Sequence, residues 1–349
     1  MNTTVLVLGD ESDWESYKRF CKSVQKHLSK KLNWVTTTYD LLEKDKLPVI
    51  KTSTLVIYLF FPFTYWDKHV EKEGYNGIYG NIEFYNKFRV FWSEIHRTLR
   101  KVYLGKKIFF INHPLKIAID RDKELTKTIL SENGINIPIS YYTRKYKDIL
   151  RLVDRENKKL FLKVRYGSMG KGITYMEKGN WKTNFRFESG KILSPRSDYG
   201  WTFIDITDNV EFLKEILTKD LVIEEAVDSY ELDDFIFDLR LYVFFDEVLY
   251  ILPRTNEKGA ITANISQGGQ GRSTRFLKKF PKNIINKAIK EGIRTIEATD
   301  VNFAGVDVMI SKDFKIYVIE LNTFPGFPKE RRFNLSKRII QRIEGKKWN

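Results

Sequence analysis

Three oxygen-bearing side chains sit in runs that are otherwise apolar. Asp307 lies within Phe303-Ala-Gly-Val-Asp-Val-Met-Ile310, and Glu320 and Asn322 lie within Ile316-Tyr-Val-Ile-Glu-Leu-Asn322. Acidic residues are depleted in strands and rarely buried unpaired, so this placement calls for a shared partner. The two runs flank Ser311-Lys-Asp-Phe-Lys315 and read as an antiparallel hairpin. Alternation along a strand puts Glu320 and Asn322 on one face. If Ser311 pairs with Ile316 across a four-residue loop, Asp307 falls opposite Glu320. Two carboxylates and a carboxamide then converge, an oxygen-only donor set suited to Mg²⁺. A solvated face with acids by chance is the competing explanation, and the apolar context argues against it.

A second feature is Lys163 in the apolar run Leu160-Phe-Leu-Lys-Val164. A lysine there is costly unless an anion meets it, and a nucleotide phosphate would serve; the bland alternative is an edge-strand lysine that discourages aggregation. The run leads into Gly167-Ser168-Met-Gly170-Lys-Gly172, whose backbone N–H groups can approach an anion closely. This loop joins two strands and lacks the order of a P-loop. The four histidines, His27, His69, His96 and His113, have no zinc-like spacing. Cys21 falls on the apolar face of a helix and reads as core.

The elements that must hold these groups alternate. A strand at 4–9 precedes a helix opened by Ser12 and Glu15, then strands at 34–38 and 55–61, a helix at 81–103 and a strand at 107–112, a small α/β sheet. The segment 71–80 is a glycine-rich loop. A charged helix at 120–133 ends at Gly134, a helix at 146–156 and a strand–loop–strand at 160–177 follow, and 178–200 reads as a long polar excursion or lid carrying Trp181, Arg186 and Arg196. Strands at 201–205 and 221–227 flank a helix at 209–219. Strands at 236–245 and 248–253, a helix at 281–299, the hairpin and a basic helix at 334–344 complete the chain.

At 349 residues, two or three domains are the default. The single cysteine excludes an internal disulfide and points to a cytoplasmic setting. No window is long and apolar enough to span a membrane. A net charge of +15 favours anionic partners and leaves nucleic acid open. The tail from Lys329 to Asn349 concentrates eight Lys or Arg against two Glu, compatible with an amphipathic helix at an anionic surface or with a packed helix whose basic face is solvated.

In this order the parts resemble the ATP-grasp superfamily, specifically its RimK-like glutamate-ligase branch, with some similarity to D-alanine–D-alanine ligase. The resemblance covers roughly 114–330 and rests on Asp122-Lys123, Phe-Leu-Lys163 with its glycine loop, Val222-Ile-Glu-Glu-Ala-Val227, Asp238-Leu-Arg240, Asn264 before Gly268-Gly269, and the Asp307/Glu320/Asn322 hairpin. It implies an α/β and α+β fold, with a small α/β domain at 1–113, a central lobe at 114–228 and a C-terminal lobe at 229–349. It implies that Lys123, Lys163 and the loop of Gly167, Ser168 and Gly170 contact phosphates. Glu224, Glu225, Ala226 and Val227 would hold adenine, and Asp233 or Asp234 the ribose. Arg240 would stabilise the phosphoryl group, Arg254 the substrate carboxylate, and Asn264 would stand on the phosphate side. Asp307, Glu320 and Asn322 would bind one or two Mg²⁺, which Mn²⁺ can replace.

The implied reaction joins a carboxylate donor to an amine acceptor through an acyl-phosphate, the acceptor being an amino acid, a peptide or a protein, and family habit implies a homodimer. Thr262 and Gln267 stand where the glutamate-ligase branch carries basic residues, so glutamate addition is not carried over. A dipeptide- or glutathione-type small-molecule ligase and a non-catalytic nucleotide- or nucleic-acid-binding protein stay open at this level.

Overall fold

In a computed structural model, residues 2–11, 16–26, 31–70, 78–193, 202–232 and 234–348 are described. The first sheet follows from apolar runs buried on both faces, the signature of parallel strands. Thr3–Gly9 lies between Asn33–Thr38 and Thr54–Leu59, with Lys107–Ile111 at one edge, all parallel. The helix Ile82–Val102 covers one face with Phe84, Phe88, Phe91, Trp92, Ile95 and Leu99 at helical spacing. It begins at Asn81, whose side chain accepts from the N–H groups of Glu83 and Phe84. The expected capping pair Ser12 and Glu15, and positions 71–77, lie outside the described residues.

The other face of this sheet is closed by two helices far apart in sequence, Ser16–Lys26 and Leu335–Gly345. Leu335, Ile339, Ile340 and Ile343 enter a core shared with Val5, Val7 and Phe20 on one side and Tyr242 and Leu252 on the other. The basic side of that terminal helix is neutralised: Arg342 meets Asp246 at 3.1 Å and Glu247 at 2.8 Å, and Arg338 meets Glu247 at 3.3 Å. It is therefore a packed helix. Among the described residues no helix is long and apolar enough to cross a membrane.

The middle of the chain forms a six-stranded antiparallel sheet, with Leu160–Val164 between Ile173–Glu177 and Leu221–Glu225. Over its described part, 178–193, the expected loop is instead built of strands. Asn180–Thr183 extends the sheet, and Arg186–Glu188 and Lys191–Leu193 form a hairpin of their own. Trp181 is fully buried in this core, so it is no lid residue; Arg196 lies outside the described residues. The punctuation at Gly179 and Gly190 marks tight turns, both with positive φ, between strands too short to show a period.

The last sheet pairs Glu247–Glu257 with Phe235–Phe244, then Phe303–Ile310, then Ile316–Asn322, all antiparallel. Asp307 does face Glu320, but by a different route from the one expected. The closing pair is Ile310–Ile316, and a one-residue bulge at Ile319 restores the register before Glu320. The helix Lys282–Thr299 covers the far face of this sheet.

One residue ties the first sheet to the last. Asn112 is buried with φ 54°, and its amide donates to the Phe303 carbonyl at 2.7 Å and the Thr323 carbonyl at 3.2 Å. Its Oδ1 accepts from the N–H groups of Asn302 and Phe303 at 2.9 and 2.8 Å. Replacing it with alanine leaves buried backbone groups unsatisfied, at about 1–3 kcal/mol for each that finds no water. Asn112→Ala is expected to lower the unfolding free energy by roughly 3 kcal/mol, read by urea denaturation. A change near zero would mean that the two sheets are held by their apolar contacts alone.

Candidate active site

A cavity of about 680 Å³ opens between the middle and last sheets. Lys163, placed opposite Val222 by the strand register, points into it and donates to Glu224 Oε1. Lys127 reaches the other oxygen of the same carboxylate at 2.5 Å. Burial works against charging Glu224, yet the two lysines outweigh it and hold its pKa at about 2. Burial lowers the pKa of Lys127, and the nearby Lys163 adds to this while Glu224 opposes it. Two ammonium groups on one carboxylate leave an excess of positive charge facing the cavity.

Lys123 begins the helix Lys123–Glu132, capped by the Asp122 side chain. It donates to the Gly167 carbonyl and stands 3.8 Å from Glu320. Its pKa is lowered by burial, against the pull of Glu320. Glu225 faces other partners, accepting from Lys158 and from the Tyr141 hydroxyl, both at 2.9 Å. Asp233 lies outside the described residues, and its neighbour Asp234 sits in a left-handed turn.

The loop 167–172 is fixed from three sides. Gly167 packs against Val164 so closely that a Cβ would collide. The Ser168 hydroxyl is bonded by Tyr79 at 2.9 Å and by Arg121. The Gly170 carbonyl accepts from Asn184 at 2.7 Å and from Gln267 at 2.9 Å. Gln267 in turn accepts from the Thr262 hydroxyl at 2.5 Å. The two positions that depart from the glutamate-ligase pattern are thus partners of each other, and they clasp the glycine loop to the loop bearing Asn264.

Arg240, Arg254, Asp238 and Asp307 form a quartet across three strands, with Arg254 and Asp307 buried and Asp238 and Arg240 half-buried. The register sets Arg240 opposite Asp307 and Asp238 opposite Arg254. Arg240 holds Asp307 with two bonds of 2.7 Å, Arg254 holds Asp238 at 2.5 and 2.6 Å, and Arg254 reaches Asp307 at 2.9 Å. Burial disfavours the Asp307 carboxylate, but the two guanidinium groups more than offset it and lower its pKa. At Asp238 burial wins and the pKa is raised. The bonds of both arginines within the quartet run through Nε and Nη2.

Among the described residues no three His, Cys, Asp or Glu side chains gather to hold a metal by themselves. Glu320 and Asn322 fit a Mg²⁺ that completes its shell with phosphate oxygens and water. Glu320 is turned toward Lys123, and Asn322 keeps a buried Nδ2 without a partner. The Asp307 oxygens are both engaged by arginines.

A second cavity, of about 770 Å³, lies between the first and last sheets. Asp120, Ser168, Gly170, Arg254, Asn264 and Glu320 line both cavities and form the neck between them. Sequence reasoning passed over Lys127 and Asp120. Lys127 had a signal, since it falls four residues after Lys123 on the same helix face. Asp120 had none: its Oδ2 accepts from the Thr323 N–H and hydroxyl at 2.9 and 2.8 Å, and its buried Oδ1 has no hydrogen bond and lies 3.9 Å from Arg121 Nε.

Residues 122–344 match the family described as YheC/D-like ATP-grasp, and the chain belongs to it. Among curated proteins it is similar to a probable alpha-L-glutamate ligase of Vibrio vulnificus, 25% identical over 221 residues. That match covers 62% of this chain and spans 60% of the relative's length. Among solved structures it resembles the ATP-grasp ligase PsnB complexed with minimal precursor, Mg and ADP, at TM-score 0.60 and 13% identity over 98% of this chain and 97% of that one. It also resembles the D-alanine–D-alanine ligase of Bacillus anthracis complexed with ATP, at TM-score 0.51 and 16% identity over 99% of both chains. These likenesses establish a mixed α/β ATP-grasp fold.

The lysine–glutamate cluster has a pH signature. A carboxylate depressed on folding contributes stability that is present above its ordinary value of 4.5 and is lost as pH falls through about 2. By linkage this amounts to about 3 kcal/mol. Denaturant titrations at stepped pH are expected to show that limb, and Glu224→Gln to flatten it. An unchanged limb in the variant would place the acid-sensitive charge elsewhere.

Proposed function

We propose that this protein is an ATP-dependent, RimK-like carboxylate–amine ligase working through an acyl-phosphate. The observation that carries the reading is the pair of cavities joined at one neck, since a phosphoryl group must pass from nucleotide to carboxylate there. The cationic cavity takes ATP. Lys123 and Lys163 contact its phosphates, with the N–H groups of the loop holding Gly167, Ser168 and Gly170. The chain around Glu224–Val227 borders adenine, with Glu224 anchoring the lysines. Glu320 and Asn322 would hold Mg²⁺, while Asp307, whose two oxygens meet Arg240 and Arg254, anchors those arginines beside it; the ion would supply charge neutralisation of the transferring phosphate.

At the neck Arg254 orients the substrate carboxylate. Its oxygen attacks the γ-phosphorus, the β–γ bridging bond breaks, and ADP departs; an amine then attacks the acyl carbon and phosphate leaves. Arg240 and Asn264 neutralise charge on the transferring group. Neither step needs a protein nucleophile, so catalysis is positioning and electrostatics. The acceptor is a peptide or amino acid, a reading supported by the peptide complexes among the structural relatives.

The test is mass spectrometry after incubation with Mg-ATP and pools of amino acids and peptides. Pool-dependent ADP together with a condensation mass supports the ligase; AMP and pyrophosphate contradict it. Glu320→Ala is expected to lower turnover by about 10²-fold or more with little change in melting temperature. Wild-type turnover in that variant would remove Glu320 from the metal site.

A further inference from the structure

We infer that Arg332, seated on Gly271, selects a carboxylate substrate that carries a second anionic group; this rests on the ligase reading and names the substrate class of its site. Among the described residues, six basic side chains and two acidic ones line the second cavity. Arg240 and Arg254 are matched by Asp307 and Asp238, Glu320 is turned toward Lys123, and Asp120 lies beside Arg121. Arg19, Lys329 and Arg332 have no acidic partner among the described residues. Arg19 is engaged by the backbone, donating to the carbonyls of Pro328 and Phe327 at 3.0 and 3.3 Å. Lys329 and Arg332, both exposed, carry the unanswered charge.

Strand register builds the seat of Arg332. Gly271 pairs with Arg254, and residues directly opposite in an antiparallel pair share a face, so a side chain at 271 would stand on the face of Arg254. A Cβ there would collide with Arg332 Nη1. Gly271 is not in the left-handed region, so glycine serves space here and not backbone conformation. The Arg332 guanidinium thus lies over a strand that is one spacing, about 5 Å, from the strand carrying Arg254. Its own segment is held at both ends. The turn from Lys329 to Arg332 closes with a 2.8 Å backbone bond, Phe333 stacks on Tyr250 with centroids 4.4 Å apart, and Arg19 ties down Phe327 and Pro328. Phe60, Phe61, Phe324 and Phe327 border the same cavity, and low-dielectric walls focus the field of such charges. A substrate with one carboxylate, held by Arg254, leaves Arg332 unanswered. A second carboxylate, or a phosphate, a few bonds from the reacting group meets it.

The experiment is calorimetric titration of the full chain, loaded with Mg-AMP-PNP, using N-acetyl-L-glutamate, N-acetyl-O-phospho-L-serine and N-acetyl-L-glutamine. The glutamine derivative matches the glutamate one in shape and lacks its second charge. The two ligands with a second anionic group are expected to bind at least about tenfold tighter than the glutamine derivative, and the tighter of them tells whether carboxylate or phosphate is preferred. Gly271→Ala displaces mainly the end of a flexible side chain and is expected to fold; Arg332→Gln serves if it does not. Either variant is expected to cut the preference to about twofold or less while AMP-PNP and the glutamine derivative bind as before, since Arg254 is untouched. Equal weakening of all three ligands would make position 271 merely structural and overturn the inference. So would equal affinities in the unaltered protein, a preference that survives in both variants, or no binding of any of the three. Failure of AMP-PNP itself to bind would count against the ligase reading, and the same titrations without nucleotide would then decide the preference.

Discussion

Buried charge is the constraint on which this structure depends. Arg240, Arg254, Asp238 and Asp307 balance one another in the last sheet, and Lys127, Lys163 and Glu224 form a second cluster whose charges do not sum to zero. Removing one partner from such a cluster strands the others in a medium that solvates them poorly, typically at 3–5 kcal/mol. The quartet is therefore a rigid, neutral platform. The lysine cluster is the opposite case, an excess of positive charge that a polyphosphate would relieve. On the proposed reading the excess charge would draw a nucleotide to one cavity, while the quartet's bonds hold the arginines of the neck.

The backbone around these clusters follows the same economy. Strand register alone sets Arg240 against Asp307 and Asp238 against Arg254, so the quartet needs no loop to assemble it. The loops do a different task. Gln267 and Asn184 both donate to the Gly170 carbonyl, which places the glycine loop over the neck, while Thr262 orients Gln267. The polar, uncharged residues at 262 and 267 tie the two loops together by hydrogen bonds where basic residues would have added charge.

Much of this was legible in the sequence where residue type conflicts with context. A lysine in Leu160–Val164 and acids in the Phe303–Asn322 hairpin stand out because strands exclude them, and both lead to the site. The Asp307–Glu320 pairing was also legible, although the bulge at Ile319 compensates for a loop one residue longer than expected. Less visible was anything set by pairing between distant strands. Asp307 reads as a metal ligand from its own strand, and only the next two strands of the sheet show that Arg240 and Arg254 hold it. The strands within 180–193 were hidden because three- and four-residue strands broken by glycines carry no period. The clustering of rings beside the second cavity was hidden because they come from segments more than 250 residues apart, Phe60 and Phe327 among them.

The central claim is that a phosphoryl group crosses the neck from nucleotide to carboxylate. The most direct measurement is oxygen transfer from an ¹⁸O-labelled carboxylate substrate during turnover with Mg-ATP and an amine. An acyl-phosphate requires that one labelled oxygen leave with inorganic phosphate, and the account predicts phosphate carrying a single ¹⁸O. Unlabelled phosphate accompanying product, or label appearing in AMP, would contradict it.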